Sequence, residues 1–241
     1  MPRESEPIEL AFQSGEYLLK GTLHLPPVVR PPIVFGSHGL MATGDSPKQI
    51  ALAKRCVAEG IAYFRFDHRG CGKSGGTFKE VTSLSGRKED LAAAVKAVRS
   101  KYELGEIGLF GSSMGGAVGI ASAERLKPAA MATYAAPIRS RNINAVIETD
   151  PNAGGNMGPL YDPDGLRFDL QPFLSGLHHI LVIHGNADPV VPVAHAHRIF
   201  ESARDPKKIR IQTGGDHPMN NPEHQQAFLE ETIEWFKMWL G

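Results

Sequence analysis

The stretch that decides the fold is Ile107-Gly108-Leu109-Phe110-Gly111-Ser112-Ser113-Met114-Gly115-Gly116. A short apolar run stops at Gly111, Ser113 sits at the centre of a G-x-S-x-G pattern, and small apolar residues follow from Ala117 to Ala123. This is the sequence form of a strand, a sharp turn and a helix with a serine at the apex, a nucleophile elbow. The turn asks Ser113 for a strained backbone, so Gly111 and Gly115 must be small for strand and helix to approach. Read alone the pattern is weak, because many glycine-flanked serines are only tight turns. The rest of the chain has to supply the partners of the serine.

Outward from the elbow, strands and helices alternate. Ile8 to Gln13 and Tyr17 to Leu25 read as a hairpin around Ser14-Gly15-Glu16. Ile33-Val34-Phe35-Gly36 is a continuous apolar run, as in a strand buried on both faces. Ser46 is placed to cap a helix with Pro47 at its first position, ending near Glu59 before Gly60. Ile61 to Phe66 is the next strand, and residues 87–100 form an amphipathic helix on Leu91, Val95 and Val98. After the elbow come a strand from Ala129 to Tyr134 and one from Ile180 to Ile183. A helix near 193–204, a strand near 208–212 and a helix near 223–240 close the chain. This alternation predicts an α/β chain with a mostly parallel sheet of about eight strands and helices on both faces. Residues 137–177 break the rhythm with dense Asn, Gly, Pro and Asp, which predicts a short cap inserted in one domain spanning 1–241.

Parallel sheets gather reactive groups at the carboxyl ends of their strands. A serine hydroxyl needs a base to take its proton and a third group to orient that base. Asp188, in His184-Gly185-Asn186-Ala187-Asp188-Pro189, follows the 180–183 strand, and by itself reads as a turn residue before a proline. His217, in Gly214-Gly215-Asp216-His217-Pro218, follows the 208–212 strand, and by itself reads as a solvated loop histidine. Together they decide the matter. Ser113, Asp188 and His217 each follow a different parallel strand and occur in the order Ser…Asp…His that this architecture requires. The remaining histidines sit on surface helices or within turns. The oxyanion hole is expected from the backbone N–H of Met114 and that of Leu40 in Ser37-His38-Gly39-Leu40-Met41, with Met41 as the neighbouring choice. His38 is expected to shape that loop rather than act as a base.

On these motifs the chain resembles the α/β-hydrolase superfamily over nearly its whole length. They are His38-Gly39, Asp67-His68-Arg69-Gly70-Cys71-Gly72-Lys73-Ser74, the elbow, the 184–192 segment and Gly215-Asp216-His217. Within the superfamily it looks most like small intracellular esterases of the cinnamoyl/feruloyl-esterase and dienelactone-hydrolase-like group. The resemblance implies a cofactor-free serine hydrolase that cleaves carboxylic esters through an acyl-enzyme. An aminopeptidase-like or thioesterase activity of the same triad, and a non-catalytic scaffold binding a small ligand or partner, stand as alternatives. The short cap is expected to restrict the pocket to small or medium acyl or aryl groups.

Other patterns exclude themselves. Gly70-Cys71-Gly72-Lys73-Ser74-Gly75 matches G-x-G-x-x-G, but Gly76-Thr77 continues as loop instead of opening a helix, and a P-loop would need glycine where Asp67 stands. Asp67 and Arg69 are expected to pair and brace this loop, and Arg139 and Arg141 to be solvated at the start of the cap. No spacing of histidines, cysteines and carboxylates suits a metal. Lys plus Arg (26) balances Asp plus Glu (26), so nothing suggests nucleic acid as a partner. No apolar run approaches the ~20 residues of a bilayer span. With two cysteines, no C-x-x-C and a polar start, a cytoplasmic location is expected by default, and a small-molecule ester is the expected partner.

Overall fold

Residues 6–140 and 165–241 are described by the computed structural model. The hairpin forms as β1 (Ile8–Ser14) and β2 (Tyr17–His24), turning at Gly15 with φ +57°. It is followed by β3 (Ile33–Ser37), α1 (Pro47–Ala58), β4 (Ala62–Phe66), α2 (Phe78–Val81) and α3 (Leu84–Arg99). The elbow contributes β5 (Ile107–Ser112) and α4 (Met114–Leu126). Then come β6 (Ala130–Tyr134), α5 (Gln171–Leu174), β7 (Ile180–Gly185), α6 (Ala194–Ser202), β8 (Lys207–Gln212) and α7 (Pro222–Leu240).

The eight strands form one sheet in the order β1-β2-β4-β3-β5-β6-β7-β8. β1, β2 and β4 pair antiparallel, and every pairing from β4 through β3 to β8 is parallel. Period-two alternation divides the core between the two faces. Ile33, Phe35, Leu109, Met131 and Val182 pack with α3, α4 and α6 on one face, while Val34, Phe110, Ala132, Leu181 and Ile183 pack with α1 and α7 on the other. β5 lies centrally between β3 and β6, so its carboxyl end is flanked by the ends of both.

Local signals place the helix ends with small corrections. Ser46 is the N-cap of α1, but among the described residues its side chain makes no capping bond. Gly60 takes φ +80° just past that helix, the left-handed turn that glycine adopts without strain. α3 starts three residues before the expected boundary, because the Ser83 hydroxyl accepts from Gly86 N at 2.9 Å and caps an extra turn. The short helices α2 and α5 have no periodic signal and were not anticipated.

Of the expected cap, residues 141–164 lie outside the described residues, Arg141 among them. Its two ends pair: Leu170 N donates to Ile138 O at 2.9 Å and Ser140 N to Phe168 O at 3.2 Å. Arg139, expected to be solvated, is exposed but tied across this neck to Asp169 Oδ2 at 3.2 Å.

Candidate active site

Ser113 occupies the turn between β5 and α4 with φ +53° and ψ −121°. A non-glycine residue there is strained and persists only where its surroundings over-determine it. Ser113 N donates to Tyr134 O at 2.7 Å, and Gly116 N donates to Ser113 O at 2.8 Å. The flanking glycines let the backbones close in: a Cβ on Gly111 would sit 2.3 Å from Gly115 O, and one on Gly115 only 2.0 Å from Ser37 O.

The loops after β7 and β8 are laced together at glycines. A Cβ on Gly185 would meet Gly215 O at 2.1 Å. Ala187 N donates to Gly215 O at 3.0 Å, and Gly214 N to the Asn186 side chain at 2.7 Å. The Tyr134 hydroxyl donates to Asp216 O at 2.6 Å, which ties the histidine loop to the end of β6. This lacing brings Asp188, His217 and Ser113 together from three strand ends. His217 Nδ1 lies 2.7 Å from Asp188 Oδ2, and His217 Nε2 lies 3.0 Å from Ser113 Oγ. Asp188 is oriented in turn. Its Oδ1 accepts from Val190 N at 2.8 Å and Val191 N at 2.9 Å, and its side chain has no solvent exposure. His184 is buried beside it, and burial lowers its pKa, so the neutral ring donates from Nε2 to Val191 O at 2.8 Å. A carboxylate held on one oxygen by two N–H groups offers the other to the imidazole, which leaves Nε2 free to accept from the serine.

Comparison with known proteins bears on the fold. Residues 31–149 match the Hydrolase_4 family model, described as serine aminopeptidase, S33. A Pyrococcus furiosus esterase, Pf2001, superposes with a TM-score of 0.83 at 19% identity, over 98% of this chain and 91% of that one. Est1E from Butyrivibrio proteoclasticus, solved with ferulic acid bound, gives a TM-score of 0.77 at 19% identity over 95% and 98%.

The chain has the α/β-hydrolase fold.

Among curated sequences, the uncharacterized protein YfhR of Escherichia coli (strain K12) is 26% identical over 181 residues, 71% of this chain and 59% of YfhR. The chain therefore matches about three fifths of the length of that relative. The sequence-level likeness to esterases of this fold, feruloyl esterases included, is borne out by these neighbours.

In this fold the loop after β3 passes beside the serine: a Cβ on Gly39 would lie 3.6 Å from Ser113 Cβ. Leu40 is buried at the edge of the site, and Met114 is the first residue of α4, where a helix leaves its N–H groups free. His38 is fully buried, with Nδ1 on Gly39 O at 2.7 Å and Nε2 accepting from His68 N at 3.1 Å. Those partners specify a neutral ring, and burial holds its pKa well below the usual histidine value. His38 shapes the loop, as its position in the sequence suggests.

A second serine, histidine and aspartate chain lies beneath the loop. Ser37 Oγ is 2.7 Å from His68 Nε2, and His68 Nδ1 is 3.3 Å from Asp90 Oδ2. Ser37 is 1% exposed, so no substrate reaches it. Sequence reasoning missed this set and mispaired its neighbours. Arg69 binds Asp90 and Glu89 rather than Asp67, while Asp67 accepts from Gly44 N at 2.7 Å and Lys73 N at 2.8 Å. The glycine-rich turn closes on the Asp67 carboxylate, so its oxygens are consumed by backbone donors before Arg69 can reach them. One signal was available. Arg87 and Asp90 share the buried face of α3 with Leu91, Ala94 and Val98, and charged residues on a core stripe mark a buried polar network.

Ser113 opens on a cavity of about 770 Å³. Its described lining comes from the loop after β3, the start of α1, the histidine loop and the start of α7, and is mostly apolar: Leu40, Met41, Ala51, Met219, Phe228 and Leu229. Lys48 lies at its side and donates to Pro218 O at 2.7 Å. Most of the expected cap, residues 141–164, lies outside the described residues, and among those described α1 and α7 line much of the cavity.

Proposed function

We propose that the protein hydrolyses carboxylic esters of small to medium acyl or aryl groups. The observation that carries this is the hydrogen-bonded row Asp188–His217–Ser113, with its serine on a positive φ at the mouth of an apolar cavity. His217 takes the Ser113 proton as the hydroxyl attacks the acyl carbon. Asp188 keeps the imidazole in the required tautomer and stabilises the cation that forms. The N–H groups of Met114 and Leu40 receive the oxyanion. His217 then protonates the leaving alcohol, and water activated by the same ring frees the acid. No step calls for a cofactor or a metal.

The lining supports an ester over a peptide amino terminus. An aminopeptidase needs an anion for the substrate ammonium, yet among the described lining residues there is no carboxylate, and the charge present, Lys48, has the wrong sign. The match of residues 31–149 to a serine aminopeptidase family keeps the aminopeptidase reading as the alternative. Among the described residues no helix is long and apolar enough to cross a membrane. A cytoplasmic setting is proposed with the activity, supported by the free buried thiols of Cys56 and Cys71.

The test is turnover of 4-nitrophenyl butyrate beside an aminoacyl nitroanilide and an acyl-CoA, with fluorophosphonate labelling of Ser113. We expect ester turnover that disappears in Ser113→Ala while folding is kept. Preference for the anilide or the thioester moves the reading to those substrates. A folded protein that neither labels nor turns over is a binding scaffold.

A further inference from the structure

Arg87 is the largest fully buried side chain in the described structure, with no solvent exposure. It projects from the first turns of α3, and its partners are unusual for a buried cation. Nη1 donates to Gly39 O at 3.4 Å, Nη2 donates to Leu40 O at 3.0 Å and to Cys71 Sγ at 3.3 Å, and Nε donates to Thr82 Oγ1 at 3.4 Å. Among the described residues no carboxylate lies within ion-pair distance of it. Asp90, one turn along the same helix, is taken by Arg69, His68 and Ser14. Burying a guanidinium on neutral acceptors is expensive, and replacing such a group with an apolar side chain is often neutral or stabilising. Packing alone does not account for it.

We infer that Arg87 is a positioning residue that aims and polarises the backbone donors of the oxyanion hole. The inference rests on the ester-hydrolase reading above. In a trans peptide the C=O and the following N–H point in opposite directions. The Gly39–Leu40 peptide is trans, and its carbonyl is held by Arg87, by His38 Nδ1 at 2.7 Å and by Ala42 N, which donates to it at 3.3 Å. The Leu40 N–H is therefore turned away from α3. The Leu40 carbonyl is held by the same guanidinium, so the Met41 N–H is turned the same way. Gly39, Leu40, Met41 and Ser113 all line the cavity, and Arg87 does not, so α3 lies behind the loop and the reacting centre in front of it.

One rigid fork thus grips two consecutive carbonyls from behind, a geometry that suits the planar guanidinium and that an ammonium cannot match. Orientation is half of the effect. A cation on a carbonyl oxygen draws density along the peptide and makes its N–H a stronger donor, and low dielectric magnifies this. The benefit appears when the oxyanion forms, not when the neutral ester binds, so it belongs to the transition state. Glycine at position 39 lets the loop come close to Ser113, and Arg87, which holds the Leu40 carbonyl as well as that of Gly39, keeps this segment from rotating its donors elsewhere.

The experiment compares Arg87→Gln and Arg87→Lys with the parent protein on 4-nitrophenyl butyrate. It also measures the affinity of an alkyl trifluoromethyl ketone, whose tetrahedral adduct with Ser113 carries the oxyanion. Removal of a whole oxyanion donor costs about a hundredfold to a thousandfold in kcat, so loss of its aim is expected to cost Arg87→Gln about tenfold to a hundredfold. KM stays within about twofold, and the ketone weakens by the same factor as kcat/KM, as transition-state binding requires. Arg87→Lys keeps the charge but reaches one carbonyl at a time, and is expected to lose about three- to tenfold on the same pattern. It serves as the decisive variant if Arg87→Gln does not fold. A folded variant with parental kcat overturns the inference, as does a fall in kcat that leaves ketone affinity untouched, because that is what loosened packing alone would produce. Turnover that survives Ser113→Ala sinks the ester-hydrolase reading and this inference with it. Turnover that depends on Ser113 and ignores Arg87 sinks the inference alone.

Discussion

Asp188→Asn separates the role of the carboxylate in orienting His217 from its role in holding the loop. In the parent protein Oδ1 accepts from Val190 N at 2.8 Å and Val191 N at 2.9 Å, and Oδ2 faces His217 Nδ1 at 2.7 Å. Asparagine has the same shape. Its oxygen keeps the two backbone donors, because an amide nitrogen placed there would face N–H groups. Its NH2 is then forced toward His217 Nδ1, and two donors cannot share that contact. The ring relieves the clash by taking the other tautomer, with the proton on Nε2, where it points at Ser113 Oγ 3.0 Å away and can no longer accept. The expected loss is about four decades in kcat, as for the same change in a serine-protease triad, or ~5 kcal/mol of barrier. Stability should move by less than ~1 kcal/mol, since the buried donors stay paired. Asp188→Ala, by contrast, leaves two part-buried N–H groups without their acceptor and should cost ~1–3 kcal/mol in all in a urea titration. The assay is 4-nitrophenyl butyrate turnover with urea unfolding of each variant. If Asp188→Asn keeps more than about a tenth of the parental kcat, the tautomer argument is wrong, whatever its stability.

Two further outcomes are expected. In Gly115→Ala the new methyl would sit 2.0 Å from Ser37 O, a backbone atom inside the sheet, so the elbow must shift and Ser113 with it. Activity should fall at least about a hundredfold, with roughly 1–3 kcal/mol of stability lost in urea unfolding, and parental kcat would contradict the close-approach argument. Acid should destabilise the fold before ordinary carboxylates titrate. Burial lowers His68 to about 4 from 6.5, so the neutral ring contributes stability that is complete above the unfolded value and lost as pH falls from about 6.5 to 4. His38 acts in the same direction. For Asp90, burial raises the carboxyl but hydrogen bonds from His68 and Arg69 outweigh it and hold it at about 2, so that contribution is lost only at still lower pH. The urea midpoint should drop between pH 6.5 and 4, and His68→Gln should flatten that drop. An unchanged slope in the variant would count against the buried network as its source.

The order of strands, the elbow at Ser113 and the Ser…Asp…His sequence of loop residues were legible in the chain because they are local. A continuous apolar run, a glycine where backbones must touch and a proline at a helix start each act within a few residues. Asp188 and His217 could be picked out because a parallel sheet sends every strand end to the same edge. Their pairing at 2.7 Å depends on Gly185 and Gly215 letting two loops cross, and that follows from the register of β7 on β8.

What the tertiary structure alone decided is which polar groups meet and which of them a substrate can reach. Ser37, His68 and Asp90 have the same chemistry as Ser113, His217 and Asp188, and only burial separates the inert set from the accessible one. Asp67 and Arg69 are two residues apart, yet each bonds elsewhere, because a glycine-rich turn folds onto one carboxylate and α3 presents another. The cavity lies against α1 and α7, elements more than 160 residues apart whose contact no window of sequence contains. Backbone pattern is written locally and survives in the sequence. Side-chain partnership is set by distances across the fold, and exists only once the sheet has brought its strand ends together.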